Sequence, residues 1–583
     1  MNSTPQWPLQ CRSETEQISF DIQPLGFDRA FPAHATRSSL PIFRLPPELY
    51  FHILGFLTQA DLDNLAAVDE DCQRLSALYA CKEAEIRYTK SASCALQCDI
   101  STPVISHPEC VRRLAVVAAS PRVTPVLPRS FGEHVAERIR DELKNLHIVD
   151  WDCTRTIFPL TFTSALASSP VKHLRVGGTV LHDEGDGPAP ETMNIPLETL
   201  CLETSEGIPD IKSRSVVFDQ LVLPASSTLR QLIWRGNPNL DNLSFNITPS
   251  DFPSFARLRS LCLDRVSLNS DNVLQLLLGP HSRIDTLAMD STTVSTSQFF
   301  STRGYMPYLT HFTWLHHGEF HGSSVADVLS FLDENPQLQA LHVPEPLPSW
   351  IIDDALIPLI ERKLALSSLH LVWLSPDIPE ASLQALATIR SLRHLWLSIG
   401  RPDAMRSTWE VDHEKMKDLL APLGSQLETL AFSKDTYVRK MTNAHPLAPA
   451  SFGFGDYYMN KVLPVDDAGV LALLSPAETA EFHVRSATHA RSCPTVPDYD
   501  LHLAALVHMR HLAWEKWHAA AILELAGRYY ADAFPRLRFL FVGQMPFVGD
   551  GNGVLEHHDS PPQREPCMSS LQKKMSMTLW RPV

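Results

Sequence analysis

Apolar residues in this chain recur in one spacing: an apolar residue, two spacers, an apolar residue, one spacer, an apolar residue. The unit stands at Leu143/Leu146/Ile148, Val171/Leu174/Val176, Leu197/Leu200/Leu202, Leu229/Leu232/Trp234 and Leu258/Leu261/Leu263. It continues at Ile284/Leu287/Met289, Leu309/Phe312/Trp314, Leu338/Leu341/Val343, Leu366/Leu369/Leu371, Leu392/Leu395/Leu397 and Leu427/Leu430/Phe432. Successive units lie about 28 residues apart on average. After a longer gap come Met509/Leu512/Trp514 and Leu537/Leu540/Val542, with a degenerate unit at Ala477/Ala480/Phe482. The last two apolar positions alternate with a spacer, which is the period of a short strand. About twenty residues then return the chain to the next strand. The returns at 271–278 and 325–332 have a helical pattern. One such strand and return cannot bury its apolar face alone, whereas stacked copies share a continuous core.

The pattern is different at the N-terminal end. Residues 1–40 show no helix or strand period and are expected to form a disordered leader. Between Leu45 and Tyr79 three short helices are predicted. Leu49, Ile53, Phe56 and Leu57 share one helix face in the first. Pro46 and Pro47 suit its start, where a missing N–H costs little. Thr58 with Asp61 resembles a capping box opening the second helix, which uses Leu62, Leu65 and Ala66. Cys72, Leu75, Leu78 and Tyr79 line the third. Residues 89–140 read as a linker or helical connection, with Phe131–Leu143 as one possible helix. Ser433–Val470, rich in Pro and Gly, reads as an inserted loop, and 546–583 as a C-terminal tail.

Composition narrows the functional classes. In 583 residues, 44% are apolar and 20% charged, which is ordinary for a globular chain. The net charge of −16 disfavours nonspecific binding to nucleic acid. No run of 18 apolar residues suggests a membrane span, and the first residues lack a signal-peptide core. The expectation is an intracellular protein, cytoplasmic or nuclear, whose 11 cysteines are thiols. Glycine-rich phosphate loops and the serine- and zinc-hydrolase motifs are missing from the sequence, so neither a cofactor nor catalytic residues are expected.

The repeated unit resembles a leucine-rich repeat of the irregular, longer kind, over roughly 141–545. It departs from that family at the turn, where Asn or Cys is expected three residues after the last strand apolar position. Asn237 fits, whereas Trp151 and Val266 stand at that place in two other units. Leu45-Pro46-Pro47-Glu48-Leu49, followed by Ile53, Leu57, Leu62, Leu65, Val68 and Leu75, resembles an F-box over residues 41–88. It departs after Val68, where basic residues and a Trp are common and Asp69, Glu70 and Asp71 stand here. Together the resemblances imply an α/β repeat solenoid, an irregular leucine-rich repeat horseshoe, fronted by a small all-α three-helix F-box segment. They also imply a role without chemistry of its own. The F-box would dock on a Skp-type adaptor of a cullin–RING ubiquitin ligase, and the repeats would hold a protein substrate for proteasomal degradation. The adaptor contacts carried over are Leu45, Pro46, Glu48, Leu49, Ile53 and Leu57. For Leu49, Ile53 and Leu57 the other reading is the core of the three-helix unit.

In such an array the single spacer of each strand points to the inner face. His342, His370 and Trp396 then fall on consecutive strands and form a candidate substrate patch with some pH sensitivity. The other reading is a solvated sheet face, or one covered by the 433–470 loop. Arg175 is the one permanently charged spacer in that row. Cys94, Cys98, His107 and Cys110 would suit zinc, and a zinc-binding protein is an alternative, as is a repeat scaffold unconnected to a ligase. Scattered core thiols are the plainer account of the four. His316, His317, His321 and Glu319 form a second polar cluster, read as a solvated loop.

Overall fold

The structure, a computed structural model, describes residues 25–557 except for internal segments, the longest at 182–193, 204–217, 401–410, 441–450, 455–466 and 492–508. The chain divides into two compact units. The first holds the residues up to Leu309 together with His317–Val328. The second holds Thr310–His316 and the residues from Leu329 on.

The first unit opens with four helices: α1 (Phe27–Ala30), α2 (Pro47–Leu54), α3 (Gln59–Ala66) and α4 (Glu70–Ala80). Prolines at its first positions start α2, as a missing N–H permits. The Thr58–Asp61 capping box is formed: each side chain accepts the other residue's backbone N–H. Asp69 caps α4 by accepting the Cys72 N–H at 2.7 Å. The shared core is Tyr50, Leu54, Leu62, Leu75, Leu78 and Cys110, joined by Leu25, Phe27 and Ala30. The expected leader therefore ends earlier than residue 40. The Phe27 N–H donates to the Tyr50 hydroxyl at 3.1 Å, and the Phe27 ring meets Phe31 and Phe43 edge-on or tilted. A three-helix unit of this size has little core of its own, and α1 enlarges it.

Strands then follow in parallel array: β1 (Glu83–Lys90), β3 (Arg113–Ala118), β4 (Ile148–Ile157), β5 (His173–Leu181), β6 (Thr199–Glu203), β7 (Gln231–Arg235), β9 (Ser260–Asp264) and β11 (Thr286–Asp290). β2 (Cys98–Ser101) pairs antiparallel with β1. β8 (Leu243–Phe245) and β10 (Val266–Leu268) form a separate pair. The second unit repeats the arrangement with β12 (His311–Leu315), β13 (Ala340–Pro348), β14 (Ser368–Leu374), β15 (His394–Ile399), β16 (Thr429–Ser433) and β19 (Phe539–Gly543). β17 (Tyr437–Lys440) and β18 (Ser451–Phe454) form a hairpin within the expected loop. β20 (Met545–Gly549) and β21 (Leu555–His557) extend the sheet antiparallel beyond β19. Within the expected tail, 546–549 and Leu555–His557 thus belong to the sheet. Each unit is a parallel, repeat-like α/β sheet. The return at 325–332 is helical, within Gly322–Asp333. The return at 271–278 lies mostly outside the described residues, as does Asn237.

Register corrects three expectations. Val149 and Trp151 sit beside Leu174 and Val176, so the first recognised unit is Leu146/Val149/Trp151, three residues further on than its apparent spacing. Trp151 is a core residue of the strand rather than a turn residue, packed edge-on against Phe131, Phe158 and Phe162. The array also begins earlier than 141. Leu114 and Val116 pair with Val149 and Trp151, and Ala84 and Ile86 pair with Leu114 and Val116. The expected F-box segment thus runs into a repeat strand, β1, and the expected linker holds the strand β3 and most of the helix Arg129–Asp141. Finally, β19 pairs directly with β16. The segment 477–482 is not a strand but lies in the helix Pro476–Arg491. Of the unit Met509/Leu512/Trp514, Leu512 and Trp514 lie outside the described residues and Met509 is helical. Met509, Ala513, Trp517, Ala521 and Leu525 are helical and buried at every fourth position. Among the described residues no helix is long and apolar enough to cross a membrane.

Phe27→Ala should destabilise the helical unit by about 3–5 kcal/mol. Amide exchange in α2 and α4 would quicken while β13–β15 stay protected. Unchanged exchange in α2 and α4 would show that α1 adds nothing to their core.

Candidate functional site

The helices leave one apolar face uncovered. Tyr50 and Leu54, four residues apart, turn into the core, and Leu57 packs half-buried against it. Leu49 and Ile53, one position back on the helical wheel, are therefore turned outward, 51% and 41% exposed. Phe56 just beyond the helix is 76% exposed, and Val68 before α4 is 59% exposed. Of the six carried-over contacts, Leu49, Ile53 and Pro46 are exposed, Leu45 and Leu57 are half-buried, and the Glu48 side chain lies outside the described residues. The two readings of the helix thus divide by residue. Leu57 serves the core, whereas Leu49 and Ile53 are free for a partner. Phe56, recognised as apolar on this helix, joins that outward set.

On the strands, the spacer face carries different chemistry in each unit. In the first unit it is a row of ion pairs that crosses the sheet. Arg113 reaches Glu83 at 3.2 Å and Asp150 at 2.6 Å. The other Asp150 oxygen accepts from Arg175 at 2.9 Å. Arg175 in turn donates to Glu203 Oε2 at 2.7 Å, and Glu203 Oε1 accepts from Arg235 at 2.9 Å. Every carboxylate oxygen of Asp150 and Glu203 thus meets a guanidinium, an arrangement that offsets the desolvation of the charges. Burial opposes ionisation of Glu203, but Arg175 and Arg235 outweigh it and hold its carboxyl below the usual range. Burial likewise opposes the charge on Arg175, and Glu203 and Asp150 reverse the effect and raise it.

The row ends in a histidine. His317 Nε2 lies 2.7 Å from Asp264 Oδ1, and Arg265 Nη2 lies 2.8 Å from His317 Nδ1. Arginine can only donate, so Nδ1 is the acceptor and the proton sits on Nε2, shared with Asp264. Arg265 has φ 57, a left-handed conformation that side chains rarely adopt. The backbone passes close by at Gly236, where a Cβ would meet the Arg265 carbonyl oxygen at 2.7 Å. His317, expected in a solvated loop, is therefore anchored to the sheet.

In the second unit the same face is aromatic and closed. His342, His370 and Trp396 are each 3% exposed or less. His342 Nε2 lies 3.0 Å from the Ser368 hydroxyl, and the ring of His370 lies 5.0 Å from that of Trp396, itself 6.1 Å from Phe541. Burial pulls His370 down to about 3 and His342 well below its ordinary value. These three residues are brought together, as their spacing implied, but as core. They present no open substrate patch, and their rings stay neutral through the physiological range.

The cysteine cluster is not assembled from described side chains. Cys94, and the side chain of Cys98, lie outside them. Cys110 is buried in the helical core, and burial pushes its thiol up to about 12, so it is neutral and poorly suited to bind metal. His107 faces Glu109 at 3.3 Å. Among the described residues no group of three or more metal-ligating side chains comes together.

The ion-pair row was only partly visible in advance, because one spacer per strand was considered. The residue after the last apolar position shares that face by the period of two. It is Glu203, Arg235, Asp264 and Asp290 on four strands in turn. Asp150 was missed through the register error at the first unit.

No family model matches this chain, and no curated protein matches its sequence.

Arg175→Ala would leave Asp150 and Glu203 each short of a partner, at a cost of about 3–5 kcal/mol in denaturant unfolding. An effect below about 1 kcal/mol would mean that the row is only a surface feature. Glu203 has a depressed folded pKa, so its stabilisation is complete above the usual carboxylate range and is lost as pH falls through the folded value. Glu203→Gln should lower stability at pH 7 and flatten the stability decline as pH falls below the usual carboxylate range. Parallel pH curves for the two proteins would contradict this assignment.

Proposed function

We propose that this chain is the substrate-recognition subunit of a Skp–cullin–F-box type ubiquitin ligase. The helical unit docks on the Skp-type adaptor, and the repeat sheets receive the protein to be marked. The chain contributes no bond-making residue. It raises the local concentration of its target beside the loaded conjugating enzyme, and short tethers of this kind reach about millimolar effective concentrations. Work in the cytoplasm or nucleus and delivery of the target to the proteasome follow from that role.

The observation that supports the reading is the uncovered apolar face. A unit short of core still turns Leu49, Ile53 and Phe56 outward, and an apolar set exposed together in this way suits an interaction site. Leu49 and Ile53 are also two of the positions at which the sequence resembles an F-box. The target is not assigned to the His342–His370–Trp396 row, which is closed.

The full-length chain should co-purify with a Skp-type adaptor. Leu49→Asp with Ile53→Asp should weaken that association by at least about 100-fold, since each side chain contributes roughly 1.5–3 kcal/mol when buried. Both positions are exposed, so the circular dichroism of the double variant should match the parent. Binding at full strength by a folded double variant would refute the docking face.

A further inference from the structure

The first unit carries a basic edge where its strands begin. The residues leading into β1, β3, β4, β5, β6 and β7 are Lys82, Arg112, His147, Lys172, Glu198 and Arg230. Backbone bonds set them side by side. The Arg112 N–H donates to the Lys82 carbonyl at 2.7 Å, His147 to Arg112 at 2.8 Å and Lys172 to His147 at 2.9 Å. Glu198 donates to Lys172 at 2.7 Å, and Arg230 to Glu198 at 2.8 Å. Four permanent cations thus stand along this edge with one carboxylate, Glu198, which meets Lys172 at 2.5 Å and Arg230 at 3.7 Å. Lys82 lies over the Tyr79 ring at 4.3 Å.

Arg112 has another cation for a neighbour in place of an anion. Burial, and then the Arg29 guanidinium of α1, lower its pKa, and no carboxylate acts on it in the opposite sense. Its Nε is closed off from solvent without an acceptor among the described residues. The carboxylates beside these arginines along the chain do not fill the gap. Glu109 faces His107 at 3.3 Å, and Asp28 forms no described ion pair with either arginine. The positive field extends to the next strand. Burial, Arg112 and Lys172 together lower the pKa of His147, against the opposing charge of Glu198.

We infer that Arg29, Arg112 and Lys172, beside His147, form a binding site for a phosphate-class dianion. An anion there turns the repulsion between two guanidiniums into attraction to a shared charge. Guanidinium forks also match the oxygens of a tetrahedral anion. A carboxylate monoanion brings half the charge and fewer oxygens. The inference is independent of the adaptor reading, since Leu49 and Ile53 take no part in it. It ties a ligand to the helices, because α1 places Phe27 and Ala30 in the helical core and Arg29 beside Arg112. The bound anion fastens α1 to the edge of the sheet.

Equilibrium dialysis of the full-length chain against radiolabelled inorganic phosphate, at constant ionic strength, tests the site. Saturable binding at one site per chain is expected, displaced by sulfate and not by acetate. Arg29→Gln and Arg112→Gln should each weaken it by at least about tenfold. Arg140→Gln removes a guanidinium already paired with Asp141 and should leave it unchanged. Saturating phosphate should slow amide exchange in α1 of the parent and not of Arg29→Gln. Arg29 is exposed, so its variant stays folded even if Arg112→Gln does not. Phenyl phosphate binding more tightly than inorganic phosphate would point to an ester as the ligand, and the reverse order to the free ion; both support the site. Lack of saturable binding, displacement by acetate as readily as by sulfate, or full-strength binding by Arg29→Gln would each overturn it.

Discussion

In each sheet, parallel pairing sets like positions of successive units side by side. Leu200 lies against Leu232 and Leu232 against Leu261, with Leu174 before them in the same row. In the second unit Leu341, Leu369, Leu395, Leu430 and Leu540 form the equivalent row. Each strand of these rows is five to nine residues long, too short to hold its own side chains from water. Its stability is borrowed from the strands on either side. A slip of one residue would turn every leucine to the spacer face, so this in-register contact decides which chemistry each face can carry.

The spacer face shows what that decision permits. The row of positions that holds Asp150 and Arg175 continues as Cys201, Ile233 and Cys262, while the next row holds Glu203, Arg235 and Asp264. Charges of opposite sign alternate across the strands and neutralise one another within the sheet. In the second unit equivalent positions hold His342, His370, Trp396 and Phe541. Ring packing and burial there replace ionic pairing. One backbone plan thus supports two kinds of interior, and neither offers a large apolar surface to solvent. The uncovered apolar face lies on the helices instead.

The repeat was legible because leucine spacing and strand period agree over many copies. It failed where composition blurred it. Leu114 and Val116 sit among alanines and prolines, so β3 passed for part of a linker, and Ala84 and Ile86 alternate with charged residues and were counted with the helices before them. Leu143, Leu146 and Ile148 have the right spacing by coincidence, since Leu143 and Leu146 are buried before the strand begins. Met509 fits both periods, and burial at Met509, Ala513, Trp517, Ala521 and Leu525, every fourth residue, decides for a helix. On α2 the apolar residues were visible, but Leu49 and Tyr50 could not be told apart as outward and inward without α1. The small leader helix packs on Tyr50, a tertiary contact that no local pattern announces. The spacer histidines were placed correctly in line. Their burial depends on what lies above the sheet, which periodicity does not encode.

The direct pairing of β16 with β19 has a consequence for biosynthesis. About a hundred residues separate the two strands along the chain. At a translation rate of about 5–20 residues per second, the free side of β16 stands bare on the ribosome for roughly 5–20 s before its neighbour is made. An open row of N–H and C=O groups of that lifetime invites pairing with another nascent chain. The long excursion between the strands therefore makes the closing stage of this sheet the one most dependent on chaperones.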